Sequence, residues 1–439
     1  MNTEVGVFVL LATFAFFLFT GLPLSFVLGG VAICFSFFFW GSDSLLLVVI
    51  QTWDTMTNYY FVAIPLYIFM ANILQRSGVI EDLFNAMQVW FGPVRGGLAI
   101  GVIVICTIMA AMTGIVGAAV ASMGILALPE MLNRKYDKKL ALGTICAGGT
   151  LGILIPPSVV TVVYAVTASL SIGKLFIGAI GPGLLLSGLY ILYITIRCWI
   201  DPNLGPAPPQ EERARITWGD RIKVLRSTAL PTLLVFMVLG TIYFGIATPT
   251  EAAAVGSLGA LFSAIVYRRL TRNLLIQSTY STAAVTCMIL WITIGARCFI
   301  SVFTAIGGGD LVTHFMTGME LNRWVILILI LVLLTALGCF LDEIGIILLC
   351  VPIFMPIIQR LGFDPIWFGL LFLVNAQTAY ISPPFGYTLF YLKGVAPEGV
   401  TMGDIYRSVI PFIILQFVGI ALCMIFPNIM LYLPSLMKE

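Results

Sequence analysis

The chain is poor in charge. Of its 439 residues only 10% are charged, and the two signs almost cancel at a net +2. Soluble domains carry about 25% charged residues, so no ordinary water-facing surface can be built from this composition. It has one histidine, His314, in a polar connecting segment, which excludes a histidine-based metal centre. Nine cysteines lie scattered through apolar stretches with no Cys-x-x-Cys pair and no metal-ligand spacing, and read as small buried hydrophobes. There is no His-Glu-x-x-His, no Gly-x-Ser-x-Gly, no Walker loop and no pair of intramembrane carboxylates at helical spacing. These absences argue against an enzyme, a lipid-modifying one included, and against self-contained ATP-driven transport; no cofactor is expected. Val5 to Thr20 is apolar but preceded only by Asn2, Thr3 and Glu4, without the basic flank of a secretory signal, so it reads as a retained first helix.

What the chain has in excess is apolar surface, 60% of its residues, and only lipid can cover that much of it. Runs at about 5–20, 24–40 and 57–75 are near the ~20 residues that span a bilayer core. Val79 to Phe91 is amphipathic and fits a helix along the interface. Gly97 to Glu130 is then apolar except for Thr113 and Gly114 at its middle, and basic residues flank it on both sides: Arg95, then Arg134, Lys135, Lys138 and Lys139. Basic flanks favour the cytoplasm, so the segment reads as a re-entrant hairpin with its tip at Thr113-Gly114.

Next comes a helix that interrupts itself. Gly148 to Ser158 reads GGTLGILIPPS, and the pair Pro156-Pro157 removes two backbone donors, so the helix over about 139–168 cannot run through it. Freed carbonyls at membrane depth are tolerated where protein or a water-filled cavity surrounds them, which makes the break a pointer to a binding site. A span at about 174–198 follows, then a polar cytoplasmic linker over Asp201 to Arg226 with Arg213, Arg215, Arg221 and Lys223.

The plan then repeats. Spans are expected at about 229–247, 250–267 and 280–305, a polar connector at Gly307 to Arg323, and a second hairpin over Trp324 to Ile358 with Gly338, Cys339, Phe340, Leu341 and Asp342 at its tip. A second broken helix at about 365–392 carries Pro383-Pro384, 227 positions after Pro156-Pro157, and a last span covers about 408–432. Pro129 and Pro356, and Asp137 and Asp364, keep the same 227 spacing. The expected fold is therefore an all-α polytopic membrane protein of two repeats, 1–200 and 229–439, joined by the linker 201–228. Five spans and one hairpin per half make the number of crossings odd, so the second repeat is inverted. With the first hairpin's flanks inside, Lys174, Arg323, Arg360 and Lys438 fall outside, Arg297 falls within the membrane, and the remaining Lys and Arg are cytoplasmic. The acidic loop with Asp43 and Asp54, and both termini, then lie outside.

Two hairpin tips and two unwound segments at one midplane are a transporter's anatomy, with half-helix N-termini for an anion and carbonyls and hydroxyls for a small cation such as sodium. The oxygen donors are Thr113, the Gly148-Gly149 backbone, Thr150 and Ser158 in the first half, and Asp342, Asn375, Gln377, Thr378 and Ser382 in the second. Asp342, an acid at a hairpin tip, points to a cation site or to a shallow, solvated tip, with Glu343 a weaker candidate beside it. Asn375 serves either an ion or a helix-to-helix hydrogen bond. Arg297 suits a carboxylate or sulfonate through its planar fork, or pairs with a neighbouring helix. Candidate substrate contacts are Pro156, Pro157, Ser158, Pro383, Pro384 and Arg297. Glu251, just after Pro249, suits a helix start.

AGGTLGILIPPS at Ala147 to Ser158, TPTEAAAVG at Thr248 to Gly256, LDEIGIILLCVPIFMPII at Leu341 to Ile358 and GFDPIWFGLLFLVNAQTAYISPPFG at Gly362 to Gly386 resemble the large membrane subunit of tripartite ATP-independent periplasmic (TRAP) transporters. The resemblance covers nearly the whole chain. It implies a sodium-coupled, elevator-type importer of organic acids in a bacterial inner membrane, with a small four-helix membrane subunit and a periplasmic substrate-binding protein as partners. It also implies a moving transport domain, 97–198 and 323–432, and a scaffold, 1–96 and 229–322. Carried over by position, Thr113, Gly114, Gly149 and Thr150 resemble the first sodium site, and Gly338, Asp342, Asn375 and Gly386 the second. The chain departs from the family's commoner Ser-Gly-Ser tip in having Thr113, Gly114 and Ile115. A stand-alone sodium–carboxylate symporter of related architecture is the alternative.

Overall fold

The structure is a computed structural model that describes residues 3–207, 217–318 and 321–437. Among them the secondary structure is helical, with no strand. The first helices are α1 (Thr3–Phe19), α2 (Leu24–Trp40), α3 (Leu46–Met56), α4 (Ala63–Arg76) and α5 (Val79–Phe91). The first hairpin is α6 (Gly97–Thr113) and α7 (Val116–Asn133), the first broken helix α8 (Lys138–Thr150) and α9 (Val159–Ala168), and α10 (Ile172–Ile200) closes the unit. Then come α11 (Trp218–Tyr243), α12 (Pro249–Val266), α13 (Arg272–Ala305) and α14 (Gly308–Gly318). The second hairpin is α15 (Arg323–Gly338) and α16 (Glu343–Arg360), the second broken helix α17 (Pro365–Ile381) and α18 (Tyr387–Val395), followed by α19 (Met402–Ile425) and α20 (Asn428–Ser435). Six of the described helices are long and apolar enough to cross a membrane, with a seventh crossing if the pair Ser42–Met56 and Tyr59–Arg76, bent by 56°, counts as one.

Local chemistry sets these boundaries. Asp137 accepts from Leu140 N at 2.9 Å to start α8, and Asp364 accepts from Trp367 N at 2.8 Å to start α17, so the aspartates spaced 227 apart are matching N-caps. Thr248 and Glu251 form a reciprocal capping box at α12, with Pro249 in the first turn, which is the structural role expected of Glu251. The two ends of each hairpin are also held together at matching places. Tyr136 accepts from Leu98 N at 3.2 Å, and Phe363, 227 positions later, packs its ring 5.1 Å from that of Trp324. The two ends of each hairpin therefore lie close together.

Several expected boundaries shift. The stretch before Thr57, read as an acidic loop, contains α3, so Asp54 is helical; α3 packs on α13, which repays ordering a segment too short to span. The polar linker turns helical at Trp218, so the long α11 starts ten residues before the end of the expected linker at 228. There the Arg221 guanidinium lies 5.7 Å from the centroid of Trp90 and 4.9 Å from that of Trp218, which places a charge in a helix between aromatic faces. The linker's centre, 208–216 with Arg213 and Arg215, and Lys438 lie outside the described residues. The connector after Gly307 holds α14, and α13 begins at Arg272 rather than near 280, capped by Thr271. The last span begins at Met402 and ends at Ile425; Pro427 then starts the separate α20.

Two groups of helices can be followed, and contacts between them, α5 on α6 above all, are as extensive as many within them. The first hairpin and broken helix contact the second pair and the last span, chiefly α8 on α19, α9 on α16 and α7 on α18. Among the others, α2 and α4 pack on α13, α4 on α12, and α5 on α11. The groups meet where α4 and α5 touch α6, where α10 touches α11, and where α13 touches α16.

Candidate functional site: two hairpin tips on two broken helices

At the first tip, Gly114 holds φ +59°, the left-handed conformation that ends α6 and reverses the chain. A Cβ there would stand 2.9 Å from the carbonyl oxygen of Pro157 and 3.3 Å from the Cα of Ser158, so the tip sits directly on the break. Thr113 is buried and donates back to Met109 O at 2.9 Å. After α8 a single 3-10 turn, Leu151–Ile153, leads into Pro156-Pro157. Ser158 is fully buried; its hydroxyl donates to Ile153 O at 2.9 Å and its oxygen caps Thr161 N, so one side chain ties the two halves of the broken helix. Gly149 faces α7, where any Cβ would meet Val120.

At the second tip, Asp342 is the N-cap of α16, its Oδ1 accepting from Gly345 N at 3.1 Å. Glu343 N donates to the Tyr380 hydroxyl at 3.1 Å, and Gly338 abuts Ala379, so this tip also leans on its own broken helix. The Phe340 ring packs 5.4 Å from Phe385 of the break and 5.9 Å from Phe19 of α1. Asn375 is buried and cross-links two helices: its Oδ1 accepts from Thr335 at 3.0 Å and its Nδ2 donates to Leu331 O at 3.0 Å. Thr388 donates to Tyr380 O at 2.7 Å and the Tyr406 hydroxyl to Pro384 O at 2.9 Å, so side chains meet carbonyls freed by the break. Gly386 is required sterically, since a Cβ would approach Tyr380 O to 2.6 Å.

The two broken helices meet just ahead of their breaks. The Thr150 hydroxyl faces Ala147 O at 2.8 Å and Gln377 Oε1 at 3.1 Å, and Thr150 and Gln377 are themselves 227 positions apart. Gln416 of α19 donates to the same hydroxyl at 3.4 Å. The structure thus brings Thr113 and Gly114 onto Pro157 and Ser158, gathers Gly338, Asp342 and Gly386 around the Tyr380 segment, and joins the halves through Thr150. Arg297 belongs to neither group. It lies on α13 in a separate cavity with Gln51, Ser301 and Leu348.

Sequence reasoning missed Tyr380, Thr335 and Gln416. Gln416 carried a signal, as the lone amide in VIPFIILQFVGIALCMI; Tyr380 and Thr335 carried none, because their importance lies in which distant atoms they meet. An apolar cavity of about 430 Å³ beside the first break, lined by Ala111, Ile155, Leu184, Val235 and Phe236 among others, has no charged residue in its lining.

Paired hairpins and interrupted helices in a multi-pass, all-helical chain define a membrane transport protein rather than an enzyme. Over residues 11–429 the chain matches the family described as "Tripartite ATP-independent periplasmic transporter, DctM component", and it belongs to that family. It is 34% identical over 394 residues to the C4-dicarboxylate TRAP transporter large permease protein DctM of Pseudomonas aeruginosa, covering 90% of each chain. It is 31% identical to the isethionate TRAP transporter permease protein DctMQ of Oleidesulfovibrio alaskensis, covering 93% of this chain and 63% of that one. The crystal structure of the Alcanivorax borkumensis YdaH transporter shares the fold, with a TM-score of 0.62 at 14% identity, over 92% of this chain and 97% of that one.

Proposed function

We propose that this permease subunit imports an organic acid anion, carboxylate or sulfonate, across a bacterial inner membrane, driven by sodium. The observation that carries the proposal is the seating of each hairpin tip on its own broken helix, with the breaks bonded through Thr150 and Gln377. Broken backbone at membrane depth supplies oxygens for a small cation and half-helix N-termini for an anion. Thr113, Gly114, Gly149 and Thr150 form the first sodium site, and Gly338, Asp342, Asn375 and Gly386 the second. The amide oxygen of Asn375 already accepts from Thr335, so its contribution is to fix α17 against α15 or to share that oxygen. The substrate's acidic group lies between Pro156, Pro157 and Ser158 on one side and Pro383 and Pro384 on the other. The relatives named for C4-dicarboxylate and isethionate support an acid as substrate.

The two repeats are inverted, both termini are periplasmic, and the hairpin-bearing helices move as one body against a scaffold made of the rest. A small four-helix membrane subunit holds that scaffold, and a periplasmic binding protein delivers the substrate. Cysteine placed at Val94 and at Asn133 in a cysteine-free background labels from the cytoplasm only; labelling of either from outside overturns the inverted topology. The deciding test is uptake of succinate and isethionate into proteoliposomes, with and without a sodium gradient, small subunit and binding protein. Uptake is expected only with all three. Sodium-driven uptake by this chain alone favours the stand-alone symporter, and sodium-independent uptake overturns the reading.

A further inference from the structure

The Arg297 cavity, unlike the apolar one beside the first break, is lined largely by polar side chains. It measures about 270 Å³, small for a drug-sized ligand and suited to a short organic acid. One wall is Arg297 and Ser301 of α13 with Gln51 of α3; the facing wall is Thr167 of α9 with Leu348 and Pro352 of α16. The cavity therefore lies between the two packed groups of helices. The guanidinium is half-buried on an apolar helix, where a charge is costly and is retained for a purpose. Its carbon lies 5.8 Å from the centroid of the buried Phe61 ring, a cation–π attraction. Among the described residues no carboxylate forms an ion pair with it. Asp54, exposed on α3, acts on it only through space.

The neighbours complete an anion site. Gln51 Nε2 donates to Ser301 Oγ at 3.1 Å, so the Ser301 hydroxyl hydrogen is directed elsewhere. The carbonyls of Ala165 and Val166 at the end of α9, which would repel an anion, already accept from Leu170 N at 2.8 Å and Ser169 N at 3.4 Å. A second cavity of about 770 Å³, lined by Asn58, Tyr60, Thr248 and Thr250, shares Val166 and Ser169 with it, which makes the two chambers adjacent.

We propose that Arg297, with Ser301 and Gln51, is a second anion station for the substrate, binding its carboxylate or sulfonate at the boundary between the two helix groups and apart from the broken helices. This deepens the organic-acid reading and rests on it. A guanidinium fork matches a two-oxygen acid group, which lysine's point charge does not.

The test uses the purified full chain and its thermal unfolding midpoint during titration with succinate, isethionate or sodium chloride, each at constant ionic strength. In the wild type, succinate or isethionate raises the midpoint. In Arg297→Gln the same rise requires at least ten-fold more anion, while Arg297→Lys requires an intermediate concentration, and the response to sodium is unchanged in both. Should Arg297→Gln yield no folded protein, a shift of three-fold or more in Arg297→Lys carries the same conclusion. Identical anion dependence in wild type and variants overturns the proposal, as does a wild type that ignores both anions, or a variant that merely unfolds earlier. Sodium-driven uptake with an unmoved anion titration would sink this station and leave the transport reading standing; a shifted titration without sodium-driven uptake would do the reverse.

Discussion

The two broken helices share a plan and differ in their cover. Every residue from 151 to 160 of the first is buried, beneath the Gly114 tip on one side and Gly183 of α10, which abuts Ile155, on another. In the second, Pro383, Pro384 and Phe385 are exposed, and the Phe340 ring packs on Phe385. The first break is tied internally by Ser158, whereas the second is tied from outside by Thr388 and Tyr406. The repeated motif is thus buried in one half and exposed in the other.

The largest effects should come from disturbing the buried half. Gly114→Ala forces a left-handed residue with a Cβ 2.9 Å from Pro157 O. It should cost more than about 2 kcal/mol, from backbone strain and the clash together. Gly386→Ala meets backbone at 2.6 Å without a positive φ, and the exposed break beside it can yield. Its loss of unfolding midpoint should be the smaller of the two; the opposite order would break the contrast between the halves.

Ser158→Ala removes a buried cap and a bond across the break, and should cost about 1–2 kcal/mol. Ser382→Ala loses a bond to Thr378 O that is only part-buried, at 2.6 Å, and should cost about 0.5 kcal/mol in the same unfolding assay. The link between the halves has its own test. A double-mutant cycle on Thr150→Val and Gln377→Leu should give a coupling of about 0.6–1 kcal/mol, and strict additivity would mean that the breaks are not bonded through these side chains.

The helix pairs and the breaks were legible because Pro-Pro pairs and Gly act on their own backbone, whereas Asp137 and Asp364 were legible only as a matching spacing and the structure shows them to be N-caps. Asp342 was half legible: its place at the second tip could be read, but Asp-Glu ahead of Ile-Gly-Ile-Ile is also a helix start, and the structure shows it capping α16. Helices α3 and α14 escaped because each is short and carries polar residues, so its stability comes from docking on α13 or α16 rather than from its own pattern. The Glu343–Tyr380, Asn375–Thr335 and Thr150–Gln416 contacts were out of reach in one dimension, since a side chain's partner is chosen by tertiary packing.

The most direct test of the account is the sodium dependence of uptake in Asp342→Asn. Asparagine caps a helix about as well as aspartate, so the unfolding midpoint should stay where it is while the carboxylate charge is lost. The account predicts a several-fold rise in the sodium concentration for half-maximal uptake at an unchanged midpoint. An unchanged sodium dependence would contradict it, leaving Asp342 as a helix cap alone and the exposed half without its ion.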